Sequence, residues 1–188
     1  ANLGGTATAL AAAFDGINTS TGALTITGAD IATVAELTTI NAATSGAVVL
    51  NAQTIAANLG GTATELAAAF DGITTSTGDL TITGTTPATI AELNTINAAT
   101  NGNVVLNAAT ISATNVAAFT DTATNLAAAF DGITTSNSTL AISGTTPATI
   151  AELKTINAAT NSDVVLNPQT IATNYNDNAA NLAAAFDG

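Results

Sequence analysis

Short apolar–polar alternations punctuate the chain at regular intervals. Leu24-Thr25-Ile26-Thr27 is matched by Leu80/Ile82 and Leu140/Ile142, and Val48-Val49-Leu50-Asn51 by Val104/Leu106 and Val164/Leu166. Period-two alternation rich in β-branched residues predicts short strands with one buried face. On that pattern Leu24, Ile26, Val48, Leu50 and their counterparts point inward. The outward positions read Thr25/Thr27, Val49/Asn51, Thr81/Thr83, Val105/Asn107, Ala141/Ser143 and Val165/Asn167. An isoleucine follows each strand type, at Ile31 and Ile55.

Between the strands the spacing changes to that of short helices. Asp30 to Leu37 recurs as Thr86 to Leu93 and Thr146 to Leu153. Asp30, Thr86 or Thr146 is the expected N-cap, with Pro87 and Pro147 at the first helical position, because a cap oxygen satisfies a free N–H and proline has none to leave free. Ile90, Leu93 and Ile96 then form one apolar stripe. A second helix, Thr62 to Phe70, opens with a Thr62-x-x-Glu65 capping box and closes at Asp71-Gly72, where glycine can take the left-handed conformation. Helices this short are marginal alone and need packed neighbours.

The elements recur as a long repeat. Phe-Asp-Gly begins at Phe14, Phe70, Phe130 and Phe186, at spacings of 56, 60 and 56 residues, and Val-Val-Leu-Asn follows with the same 56 and 60. The four extra residues fall in the connection Ser112 to Asp121, and the stretch Thr114 to Thr120 is the one candidate for a divergent loop. One continuous array, 1–188, is expected, with repeats at about 1–56, 57–112 and 113–172 and a partial one at 173–188. The order helix, strand, helix, strand implies parallel pairing. The expected fold class is α/β, a repeat solenoid of short parallel strands and short helices; a mostly-β solenoid is the alternative.

Composition then narrows the function. Charged residues are 7%, the net charge is −12, and Lys154 is the single base. Such a chain repels phosphate backbones and anionic lipids, so neither nucleic acid nor membrane insertion is an expected partner. His, Cys and Arg are absent, so no hydroxyl has a base to activate it other than a carboxylate, and an enzyme is not expected. Without cysteine there is no disulfide framework. The first residue is Ala1 rather than Met, which points to processing or to a fragment. Both ends fall within a repeat and show no polar cap, so either the chain continues or copies stack head to tail. The expected partner is therefore the chain itself, through head-to-tail or lateral assembly.

Three sets of residues are candidates for something more specific. Asp15, Asp71, Asp131 and Asp187 stand at helix C-termini, where a negative charge is unfavourable; each closes a turn or, with loop carbonyls, ligates calcium. Asn51, Asn107 and Asn167 form a column suited to a side-chain hydrogen-bond ladder. The Thr-x-Thr rows on the outward face make ice binding a minor alternative. Glu36, Glu65, Glu92 and Glu152 near helix starts are explained by dipole complementarity. Asn18-Thr19-Ser20 and Asn137-Ser138-Thr139 fit the glycosylation triplet.

Residues 89–102, Thr-Ile-Ala-Glu-Leu-Asn-Thr-Ile-Asn-Ala-Ala-Thr-Asn-Gly, and 80–84, Leu-Thr-Ile-Thr-Gly, resemble tandem segments of very large secreted bacterial proteins of the surface-layer, adhesin-like and haemolysin-type repeat classes. The resemblance implies a bacterial, extracellular or cell-surface structural role, often calcium-dependent. The calcium-binding Gly-Gly-x-Gly-x-Asp nonapeptide of such proteins is missing, since Gly60-Gly61-Thr62-Ala63 lacks its third Gly and its Asp. A fibre, sheath or surface layer built from stacked repeats is the expectation, with an adhesin stalk or binding module as the alternative.

Overall fold

The computed structural model describes residues 2–112 and 119–187. Most of the candidate loop Thr114 to Thr120 therefore lies outside the described residues. The chain is α/β: three small three-stranded parallel sheets alternate with helices, and none closes into a barrel.

Reciprocal capping starts the long helices. In α2 (Val34–Ala42) the Thr33 hydroxyl accepts from Glu36 N–H at 3.2 Å, while Thr33 N–H donates back to Glu36 Oε2 at 2.9 Å. The same box opens α4 (Ala63–Phe70) at Thr62 and Glu65, α5 (Ile90–Ala99) at Thr89 and Glu92, and α8 (Ile150–Ala159) at Thr149 and Glu152. Helices α2, α5 and α8 begin later than the expected caps at Asp30, Thr86 and Thr146, while α4 begins at its expected cap, Thr62. The lead-in stays outside the helix, with Ala32 N–H donating to Thr54 Oγ1 at 2.9 Å. Pro87 and Pro147 thus stand ahead of their helices, and Ile31 at the same position is 55% exposed. Helices α1 (Ala7–Phe14), α7 (Ala123–Ala129) and α10 (Ala179–Phe186) begin at Thr6, Thr122 and Asn178 without the glutamate. At the far end of α4 the chain turns through Asp71 into Gly72, whose φ of +70° is the left-handed conformation glycine tolerates.

Each repeat holds three strands where two are legible. In the first, β1 (Leu3–Gly5), β2 (Leu24–Ile26) and β3 (Val48–Val49) pair in parallel, with Leu3 opposite Leu24 and Leu24 opposite Val48. In the second, β4 (Leu59–Gly61), β5 (Leu80–Ile82) and β6 (Val104–Val105) repeat the register. In the third, β7 (Thr120–Asp121), β8 (Leu140–Ile142) and β9 (Val164–Val165) do so again. The unforeseen strands β1 and β4 are Leu-Gly-Gly, a sequence with little strand preference that is held by its neighbour. A third, four-residue helix follows the last strand of each sheet: α3 (Ala52–Ile55), α6 (Ala108–Ile111) and α9 (Pro168–Ile171).

The contacts form two compact units, Ala1–Gly84 with Ala98–Val105, and Thr85–Asn97 with Leu106–Gly188. In the first unit Leu24, Ile26, Leu37, Ile40, Leu66, Phe70, Leu80 and Ile82 are buried between strands and helices, and α2 packs against both α1 and α4. Val48, expected inside, is half-buried. Backbones approach closely here: a Cβ on Gly78 would lie 1.9 Å from Ala57 O, so only glycine fits. In the second unit α8 packs against α7 and α10, over Leu126, Leu140, Leu153 and Ile156. Phe119 stands edge-on to Phe130 with centroids 5.7 Å apart. The residue matching Gly78 is Ser138, whose hydroxyl donates to Thr110 O and Ile111 O, each at 3.2 Å. The extra residues of this repeat fall in the same connection that carries Ala57.

Candidate functional site

The asparagine column is built by the short third helices. Asn51 precedes α3 as its N-cap: its Oδ1 accepts from Thr54 N–H at 3.0 Å, and its Nδ2 donates to Gly28 O and Asp30 O at 3.1 and 2.8 Å. Asn107 caps α6 and donates to Thr86 O at 3.0 Å; Asn167 caps α9 and donates to Ser143 O, Gly144 O and Thr146 O. All three are buried rather than outward. The partners named are main-chain groups within the same unit, so each asparagine ties one chain segment to another. The strands end at Val49, Val105 and Val165, and the alternation that would turn the asparagines outward does not reach them.

Three buried threonines complete these anchors. Thr54, Thr110 and Thr170 accept at Oγ1 from the N–H groups of Ala32, Ala88 and Ala148, each at 2.9 Å. The pattern Asn-x-x-Thr marks them in every repeat, a cap signal that the search for strands passes over.

The aspartates of Phe-Asp-Gly meet a second asparagine series. Asn41 Nδ2 donates to Ala68 O and Asp71 O, both at 3.0 Å; Asn97 reaches Ala128 O and Asp131 O, and Asn157 reaches Ala184 O and Asp187 O. The carbonyls of Asp71, Asp131 and Asp187 are thus engaged, while the four aspartate residues are exposed. Calcium takes six to eight oxygen ligands. Among the described residues no group of three or more His, Cys, Asp or Glu gathers, and each turn brings a single carboxylate beside its carbonyls.

The glutamates serve the helix starts. A hydrogen bond from Thr8 Oγ1 at 2.6 Å, joined by those from Thr33, holds the Glu36 carboxyl below its ordinary value. For Glu152 burial pushes upward, but the bonds from Thr124 Oγ1, at 2.6 Å, and Thr149 outweigh it and the carboxyl is again lowered. Glu65 is lowered by Thr62 N–H and its hydroxyl. Lys154 donates to Asn181 Oδ1 at 2.8 Å across α8 and α10.

The outward face is uneven. Thr25 and Thr81 are half-buried, Ala141 is buried, and Val49, Val105 and Val165 are between 45% and 48% exposed. In the second unit a groove of about 780 Å³ lies beside α8 and α10, lined by Asn157, Asn161, Val164, Leu166 and Phe186 among others. No helix among the described residues is long and apolar enough to cross a membrane. No protein-family model, curated protein or solved structure matches the chain.

Proposed function

We propose that this chain is a structural repeat protein, an α/β solenoid whose repeats stack into an extracellular bacterial fibre, sheath or surface layer. One observation carries the reading. The repeat-specific polar side chains, Asn41, Asn97 and Asn157 with Asn51, Asn107 and Asn167, are spent on the main chain of a neighbouring segment, 21 to 34 residues away, rather than converging on a ligand. The acidic surface, with one lysine and no histidine, cysteine or arginine, favours a scaffold over a catalyst, and the likeness of residues 80–84 and 89–102 to secreted repeat proteins supports the location.

Stacked repeats gain stability from each added neighbour interface. Chains carrying two, four and six copies of the 56-residue repeat, unfolded in denaturant, test the reading. The midpoint and the denaturant sensitivity should both rise with repeat number. An unchanged midpoint, as for independent beads on a string, overturns it.

A further inference from the structure

One asparagine of the chain stands directly before a glycine: Asn101, followed by Gly102. Such a pair carries a chemistry of its own. With no Cβ on the glycine, its main-chain nitrogen reaches the asparagine Cγ unhindered and can displace the side-chain ammonia. The matching pairs in the other repeats lack one partner each, since Ser45-Gly46 has no amide and Asn161-Ser162 no glycine. Gly102 is not free to change. A Cβ there would lie 2.6 Å from Gly78 O and 2.7 Å from Gly78 C, so close stacking of the turns imposes the reactive neighbour.

The turn holds the nitrogen that would attack. Gly102 N–H donates to Thr100 Oγ1 at 2.9 Å, and that hydroxyl donates on to Gly78 O at 2.7 Å. Thr100 is buried, whereas Asn101 is exposed, with its own N–H tied to Ser76 O at 3.0 Å. The same relay runs from Gly46 N–H through Thr44 to Gly22 O, and from Ser162 N–H through Thr160 to Ser138 O. It is a fixture of every repeat, but only at Gly102 does it also engage the proton that an asparagine's attacker must lose. We propose that Asn101 is a latent self-modification site, kept silent by the Thr100 hydroxyl and released when this turn of the first unit opens locally.

Once the N–H is free, hydroxide from solvent takes its proton and the Gly102 nitrogen attacks Cγ of Asn101. The Cγ–Nδ2 bond breaks, ammonia leaves, and a cyclic imide remains. Water then adds to one of the two imide carbonyls. Opening at Cγ gives aspartate; opening at the main-chain carbonyl gives isoaspartate, in which the main chain runs through the side-chain carbon. In sum the amide and one water become a carboxylate and an ammonium ion, and the chain gains one negative charge. Isoaspartate lengthens the main chain by one carbon beside a contact that has no room even for a Cβ, so the turn does not reclose in its former register. The site thereby records, irreversibly, that the turn has opened.

Incubation of the full chain in heavy-oxygen water at mildly alkaline pH, followed by fragment mass spectrometry, reads the label entering at Asn101. The folded chain should take it up at least about tenfold more slowly than the chain in denaturant. Thr100→Val should speed the folded chain at least about tenfold, a loss of ~1.4 kcal/mol of protection. Thr100→Ser keeps the hydroxyl and should stay slow. Thr44→Val removes the matching hydroxyl beside Ser45-Gly46 and separates local release from general loosening; uptake at Asn101 should hold at the parent rate. Hydrogen exchange of the Gly102 amide in the parent, across low denaturant concentrations, needs no variant to fold and should rise in step with the label. A folded parent as fast as the denatured chain, a Thr100→Val no faster than the parent, or a fast Thr100→Ser overturns the proposal. So does equal release by Thr44→Val, or label uptake that rises without exchange at Gly102.

Discussion

Thr54 is buried to 0% exposure in a place where valine has the same shape. Its hydroxyl is kept there by one task, accepting the Ala32 N–H. Thr54→Val removes the acceptor and strands a buried donor, which costs about 1–3 kcal/mol. The loss should appear in equilibrium unfolding, and Thr110→Val and Thr170→Val should each reproduce it. A residue of the second unit shows the opposite case. Asn94 Oδ1 is buried without a hydrogen-bond partner, whereas Lys154 at the matching position donates to Asn181 Oδ1 at 2.8 Å. Asn125 is the counterpart of Asn181, bonded to Asp121 as Asn181 is to Asp177. Asn94→Lys should therefore stabilise the second unit by about 0.5–1.5 kcal/mol, read as a raised denaturation midpoint.

At the scale of elements, the helix starts carry the pH dependence. The carboxyls of Glu36, Glu65 and Glu152 are lowered from 4.5: Glu36 by Thr8 and then its box partner Thr33, Glu65 by its box partner Thr62, and Glu152, against the upward push of burial, by Thr124 and its box partner Thr149. A carboxyl lowered in the folded state contributes stability above its unfolded value and loses it as pH falls through the folded one. Relative to a Glu36→Gln, Glu65→Gln, Glu152→Gln chain, the parent should hold a constant advantage in melting temperature above about pH 5. That advantage should shrink below 4.5. The comparison reduces the relief of self-repulsion on acidification to the share carried by three of the net −12 charges. These boxes also mark the border of what was legible. The pairs Leu24/Ile26 and Leu80/Ile82 announce themselves, because period-two burial is written locally. The helix start is less plain, since Asp30 and Thr33 are both good caps and the segment between them is held by Thr54, 22 residues from the Ala32 amide it accepts from. The strands Leu3–Gly5 and Leu59–Gly61 are hidden for the same reason: glycine has no strand preference, and pairing with Leu24–Ile26 or Leu80–Ile82 imposes the conformation. Among candidate sites, the column of Asn51, Asn107 and Asn167 was visible as a repeat, but its burial depends on where β3, β6 and β9 stop.

At the scale of the whole molecule, the proposed solenoid is a statement about growth. A compact domain thickens as residues are added, its radius of gyration rising with only about the 0.38 power of length. A stack of repeats, each touching only its neighbours, lengthens at constant thickness. Small-angle X-ray scattering from chains of three and six repeats distinguishes the two directly. The account expects the same cross-sectional radius of gyration for both and a maximum dimension that about doubles. A cross-section that swells from three repeats to six, with a maximum dimension rising by only about a third, as a near-spherical body requires, contradicts it.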